Sequence, residues 1–206
     1  MNLIGAWHKR RYNAFTLIEL IVVVGIISVL AGLVLSTVGY ARKKGARARA
    51  ETEIAAMSAA LENYKADNAI YARGPATDIT VGSTTIPANV TDDLDAKTKG
   101  DPTNTTTPTY GQTSLYLYTQ LSGDLIGKQQ PTGKSYFTFK PQMLSTDSNG
   151  YVTAIKDPFG NSYGYSTANQ NSSSTGYNPT FDCWSTATLT NSPPTVTDQN
   201  QWIKNW

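Results

Sequence analysis

One cysteine, Cys183, and one histidine, His8, set the first limits on this 206-residue chain. A lone thiol closes no intrachain disulfide. Cys183 alternates with Asp182 and Trp184 in a predicted strand, which places it as an inward core residue rather than a reactive thiol. His8 sits so near the start that a Ser-His-Asp or Cys-His catalytic set cannot be built from the body of the chain. Phosphate loops, nucleotide fingerprints and metal-ligand clusters are also missing. Charged residues make up only 16% of the chain and the net charge is +2, without the basic excess of a nucleic-acid-binding domain. Enzymatic and nucleic-acid functions are therefore disfavoured from the outset.

What the chain does have is a long apolar run from Phe15 to about Val38, preceded by a short leader with Lys9, Arg10 and Arg11 and no acid. One carboxylate, Glu19, interrupts the run near its start. A charged side chain in a membrane span costs roughly 2.5–3.5 kcal/mol on insertion scales, so such a residue normally has a partner. No cation lies within the span. The amine created by cutting the chain just before Phe15 is the obvious candidate. A Sec signal peptide has an apolar core of about 7–15 residues followed by a small-residue cleavage site. This run is longer, and Val38-Gly39-Tyr40-Ala41 is a poor site of that kind. A plain anchor of about 20 residues fits the length but leaves Glu19 unexplained.

The stretch Ala14-Phe15-Thr16-Leu17-Ile18-Glu19 resembles the class III signal of type IV pilins and of the pseudopilins of type II secretion. The resemblance implies cleavage between Ala14 and Phe15 by a prepilin peptidase, with methylation of the new N-terminal Phe15. It also implies that Glu19, with Thr16 beside it, serves assembly by facing the N-terminus of a neighbouring subunit in a helical filament. Ala14 departs from the Gly that the family prefers before the cut. The leader carries three of the 17 basic residues and none of the 15 acids, so its loss takes the net charge from +2 to about −1.

The helix is predicted to continue beyond the span. Ala46 to Lys65 contains no Pro or Gly, and Ala50, Ile54, Met57, Leu61 and Tyr64 recur at helical spacing, forming one stripe suited to packing on a sheet. Arg42, Lys43, Lys44, Arg47 and Arg49 cluster where the chain leaves the span, followed by Glu51, Glu53, Glu62 and Asp67. The basic cluster suits lipid headgroups or the acidic section of a neighbouring subunit. Counting flanking charge alone would turn the protein round, since Lys and Arg normally favour the cytoplasmic side; the prepilin resemblance requires a cytoplasmic leader instead. Gly25, Gly32 and Gly39 lie seven apart near one helix face, where small residues permit close helix approach. Ser36 stands where many pilins have a Pro.

From Arg73 to Gly111 the chain reads as a long irregular connection. A short helix with Leu115, Tyr118 and Leu121 on one face follows, capped by Thr113 or Ser114 and stopped by Gly123. Strands are predicted at Tyr136–Phe139 and Tyr151–Ile155, joined through Asn149-Gly150, and further strands at Tyr163–Tyr165 and Thr180–Ser185. Asn89, Asn104 and Asn171 begin triplets of glycosylation-acceptor form, which a Thr-rich chain also produces by chance.

The C-terminal part carries a second resemblance. Asp157-Pro158-Phe159-Gly160-Asn161-Ser162-Tyr163, Phe181-Asp182-Cys183-Trp184-Ser185 and Ile203-Lys204-Asn205-Trp206 are similar to three segments of the major pseudopilins. Pseudopilins of that type bind calcium in the loop between the last two segments. The positions implied for its acidic ligands hold Thr188-Leu189 and Gln201-Trp202 here, leaving Asp198 in the loop and Asp182 upstream as weak calcium candidates. Calcium takes six to eight oxygens, several of them anionic. Trp184, Trp202 and Trp206 offer an apolar way to hold the same loop.

The expected architecture is α+β and pilin-like, with a long N-terminal spine helix on a small antiparallel sheet. Its parts are a leader at 1–14, membrane and periplasmic halves of the spine at 15–40 and 41–71, a variable loop at 72–112, and a short helix, sheet and C-terminal loop at 113–206. The resemblance implies a structural subunit of a type II secretion pseudopilus, with no cofactor unless calcium binds. The chain would be anchored once in the bacterial inner membrane, its N-terminus cytoplasmic and its domain periplasmic. The implied partners are further copies of itself in a helical homopolymer, minor pseudopilins, the prepilin peptidase, the inner-membrane assembly platform and membrane lipid, with no nucleic acid. Two alternatives stand beside this: a type IV or competence pilus subunit, and a membrane-anchored periplasmic binding domain that never polymerises.

Overall fold

The computed structural model of the chain describes residues 15–206, with the side chains of residues 35–37 left aside. The leader, including His8, the basic triplet and Ala14, lies outside the described residues. The chain divides into two compact units after Lys44.

In the first unit the described residues from Leu17 onward are all in helix α1 (Leu17–Asn68), which begins here and whose backbone is helical through Ser36. Each residue from Phe15 to Val34 is exposed. Exposed apolar side chains over that length match the roughly 20 residues needed to cross a hydrocarbon core, and α1 is long and apolar enough to do so. Nothing within 4 Å would meet a Cβ placed on Gly25, Gly32 or Gly39, so that face is open to a neighbour.

In the second unit the predicted stripe is the core face of α1. Ala50, Ile54, Met57 and Leu61 are buried, with Tyr64 packed at the edge. The helix ends where Ala69 enters the left-handed region at φ 63°. Opposite the stripe lies α3 (Tyr110–Ser122), which buries Leu115, Leu117 and Leu121 in the same core. It starts before the predicted Thr113 or Ser114. Thr109 is the N-cap, its hydroxyl accepting from Gln112 N at 3.1 Å while Gln112 Oε1 accepts from Thr109 N at 2.9 Å. That Thr-x-x-Gln capping box satisfies two otherwise orphaned backbone groups. Gly123 ends the helix at φ 73°, as predicted.

Among the described residues, the single sheet expected from the sequence is instead three small antiparallel ones. The expected irregular loop contains the first, a hairpin of β1 (Ile79–Val81) and β2 (Thr84–Ile86), followed by the short helix α2 (Val90–Asp93). Val81 and Ile86 enter the main core. The second pairs β3 (Leu144–Thr146) with β4 (Val152–Ile155). Tyr136–Phe139 is not a strand. The amides of Tyr136 and Phe137 both donate to Leu121 O at the end of α3, and Pro141 then opens a short 3-10 turn. The first two amides of the segment are thus committed to a helix end rather than to a ladder, and Asn149-Gly150 instead turns β3 into β4.

The third sheet has the order β5 (Gly164–Ser166), β6 (Asp182–Ser185), β7 (Ile203–Lys204), with the short helix α4 (Ala168–Asn171) after β5 and α5 (Val196–Gln201) before β7. Cys183 is fully buried in β6, and burial pushes its thiol up to about 12.

Candidate functional site

The first residues of the spine form a closed local device. Thr16 is the N-cap of α1 and Glu19 its third residue. Thr16 N donates to Glu19 Oε2 at 2.9 Å and Thr16 Oγ1 to the same oxygen at 2.7 Å. Glu19 N returns a bond to Thr16 Oγ1 at 3.3 Å. This is a capping box, and it gives Glu19 a partner inside its own chain. The Thr-x-x-Glu spacing that builds the box is a local sequence signal. Only one carboxylate oxygen is used in these bonds, and Glu19 remains exposed. The box therefore orients the carboxylate at the helix start, where the macrodipole also favours negative charge, and leaves it able to meet an external amine.

The charges beyond the span divide into two groups. Arg42, Lys43 and Lys44 are exposed. Arg47 and Arg49 act within their own unit. Arg49 Nε lies 2.6 Å from Glu53 Oε1, and Tyr163 OH donates to Glu53 Oε2 at 2.8 Å. The buried Glu53 is thereby satisfied on both oxygens, as a buried charge must be. Arg47 pairs with Glu51 at 3.5 Å. The other acids are also engaged at home: Glu62 accepts from Tyr71 OH and Asp67 pairs with Lys134.

Three resemblance-bearing segments meet around the third sheet. Asp157 Oδ1 accepts from Phe159 N and Asn161 N, both at 2.9 Å, and its Oδ2 accepts from Ser185 Oγ at 2.5 Å. The turn after β4 is thus tied to the end of β6. Burial holds the Asp157 carboxyl above its ordinary range despite those donors. Asn205 closes the other side: its Oδ1 accepts from Cys183 N at 2.9 Å and its Nδ2 donates to Phe181 O at 3.1 Å.

Asp182 and Asp198 each serve a separate turn. Asp182 accepts from Tyr177 N at 2.7 Å and Asn178 N at 2.8 Å, and its carboxyl is raised by burial. Asp198 completes the capping box of α5 with the N-cap Thr195, its Oδ2 accepting from Thr195 N, Thr195 Oγ1 and Asn191 Nδ2 at 2.7–3.0 Å. Those donors hold its carboxyl below the usual range. Leu189 and Trp202, at positions where the resemblance implies acidic ligands, pack with Leu94, Tyr110 and Trp184 in a second apolar cluster. Among the described residues no three His, Cys, Asp or Glu side chains gather as metal ligands would. Calcium takes six to eight oxygens, several of them anionic, and here Asp182 and Asp198 each spend theirs on a separate turn.

Residues 9–35 match the family described as the prokaryotic N-terminal methylation motif. Type II secretion system core protein G of Aeromonas hydrophila is 40% identical over 63 residues, covering 31% of this chain and 44% of that protein. The protein of the same name from Vibrio cholerae is 39% identical over 69 residues, 34% of this chain and 45% of its own. That from Dickeya chrysanthemi is 38% identical over 63 residues, with 31% and 41% covered. The chain thus spans under half the length of these relatives. No solved structure matches it at a comparable level.

Proposed function

We propose that this chain, a type IV pilin-like protein by its N-terminal methylation segment, is a structural subunit of a type II secretion pseudopilus. The observation that carries the reading is the start of α1, where a capped, exposed carboxylate stands at the head of an exposed apolar helix. Such an apolar segment needs a bilayer or other helices around it, and the one acid within it keeps, beyond its capping box, an oxygen able to meet a cation. A prepilin peptidase cutting before Phe15 would supply both the mature end and its amine. Stacked subunits would then bury apolar spines together, each Glu19 facing the Phe15 amine of a neighbour. A contact between two different faces that does not close into a ring propagates as a helix. The leader stays cytoplasmic, the second unit is periplasmic, and the inner-membrane platform adds subunits beneath minor pseudopilins at the tip. The relatives' names favour a pseudopilus over a retractable or competence pilus. The subunit's work is mechanical, without catalysis.

Two variants of Glu19 test this. Glu19→Gln keeps an acceptor for the capping box but removes the charge; Glu19→Ala removes both. Breaking a buried ion pair costs about 3–5 kcal/mol, because the other charge is stranded. Both variants should be inserted and cleaved, and neither should yield filaments on overexpression. Glu19→Gln assembling at the wild-type level would refute the pairing and favour an anchored domain that does not polymerise.

A further inference from the structure

We infer that Arg47, reaching from α1, is the cation of the C-terminal loop, and that with the tryptophan cluster it closes this loop without a metal ion. The guanidinium donates to Gln201 O at 2.8 Å and to Trp202 O at 3.2 Å. These two carbonyls end α5, where unpaired oxygens and the helix dipole attract positive charge. They are also the kind of oxygens that a calcium ion would recruit. Here a fixed side chain of the spine already holds them.

The apolar half of the closure lies beside this contact. Trp184 and Trp202 stack with ring centroids 6.2 Å apart and planes 13° from parallel. Trp206 meets Trp184 edge-on at 5.9 Å, and Tyr110 does so at 5.4 Å from another side. Trp184 Nε1 donates to Tyr110 OH at 3.0 Å, and Tyr110 OH in turn donates to Lys99 O. Leu189 covers the cluster from within the loop, and its amide donates to Thr186 O at 3.0 Å, occupying one more carbonyl at the loop entrance. The loop for which the resemblance implies an ion is tied here by a guanidinium and stacked rings. The significance for filament assembly rests on the function proposed above; the closure itself does not.

The test uses the full-length membrane-extracted protein in detergent. Thermal unfolding followed by tryptophan fluorescence should give the same midpoint, within about 1 °C, in calcium and in EGTA. A site loaded at about a hundred times its dissociation constant would instead raise the midpoint by roughly 5–10 °C. Arg47→Ala should lower the midpoint by several degrees and speed proteolytic cutting within 186–202 at least tenfold, and calcium should not reverse either change. Glu51→Gln is the control, since it removes the exposed partner of Arg47 and leaves the carbonyl contacts; it should behave as wild type. A calcium-dependent midpoint, calcium rescue of Arg47→Ala, or unchanged proteolysis of Arg47→Ala would each overturn the inference. If these results hold while no filament ever forms, the pseudopilin reading fails and the metal-free closure stands.

Discussion

Replacing Asp157 by Ala should be among the most damaging single changes in the folded unit. Its carboxylate accepts two backbone amides of its own turn and the hydroxyl of Ser185, whose side chain is fully buried. Phe159 and Asn161 are partly exposed, so their freed amides can regain water; Ser185 cannot as easily. Hydrogen bonds to charged groups contribute about 1.5–3 kcal/mol, and a stranded buried donor costs about 1–3 kcal/mol. Against this stands the relief of no longer burying a carboxylate, whose affinity for protons burial has raised. The net loss should be roughly 2–4 kcal/mol, or about 5–15 °C in the midpoint for a unit of this size.

Asp157→Asn keeps an acceptor for the two amides and should lose about 1 kcal/mol. Its pH dependence carries a distinct sign. The native carboxyl sits above its ordinary value of 3.8, so the native state binds its proton more tightly than the unfolded chain does. That contribution is full below 3.8 and fades as pH rises through the raised native value. The Asn variant should therefore fare better, relative to wild type, at pH 7 than at pH 4. Midpoints by tryptophan fluorescence at both values decide this. Asp157→Ala within 2 °C of wild type, or Asn as harmful as Ala, would refute the reasoning.

Mass spectrometry of the membrane-extracted protein should show a chain starting at Phe15 with one added methyl, and Ala14→Gly should preserve or speed that processing; a start near Ala41 would contradict it. Gly164→Ala should cost about 3 kcal/mol or more, because a Cβ there runs into the indole of Trp184, and equilibrium urea unfolding would detect it. Cys183→Ala should leave filament yield near wild type, and native Cys183 should resist alkylation at pH 8, since the thiol is buried and pushed up to about 12. Asp198 differs in sign from Asp157: its carboxyl is held below the ordinary 3.8, so its contribution is full above that value and lost as pH falls through the lowered one. Asp198→Asn should therefore flatten the acid limb of the midpoint-pH curve.

Local signals survived folding wherever neighbours in sequence are neighbours in space. The spine helix, its Ala50–Leu61 stripe, the Gly123 stop and the Asn149-Gly150 turn all depend on periodicity or on a few adjacent dihedrals, and the sequence alone determined them. The acid at the head of the apolar run was equally plain, because a charge in such a run stands out whatever the fold. Its capping partner Thr16 lies three residues before it, within reach in any helix that starts there.

Contacts between distant segments were decided by the tertiary structure. Tyr136–Phe139 has the composition of a strand, yet the amides of Tyr136 and Phe137 go to the end of α3 because that helix lies there to receive them. The hairpin at Ile79–Ile86 hides in a Thr-rich stretch, where its two inward residues become core only once α3 provides a wall. Arg47 could not be read from its basic cluster as different from Lys43 or Lys44. Its role depends on two carbonyls more than 150 residues away, brought within hydrogen-bond reach by the return of α5 and β7 to the spine.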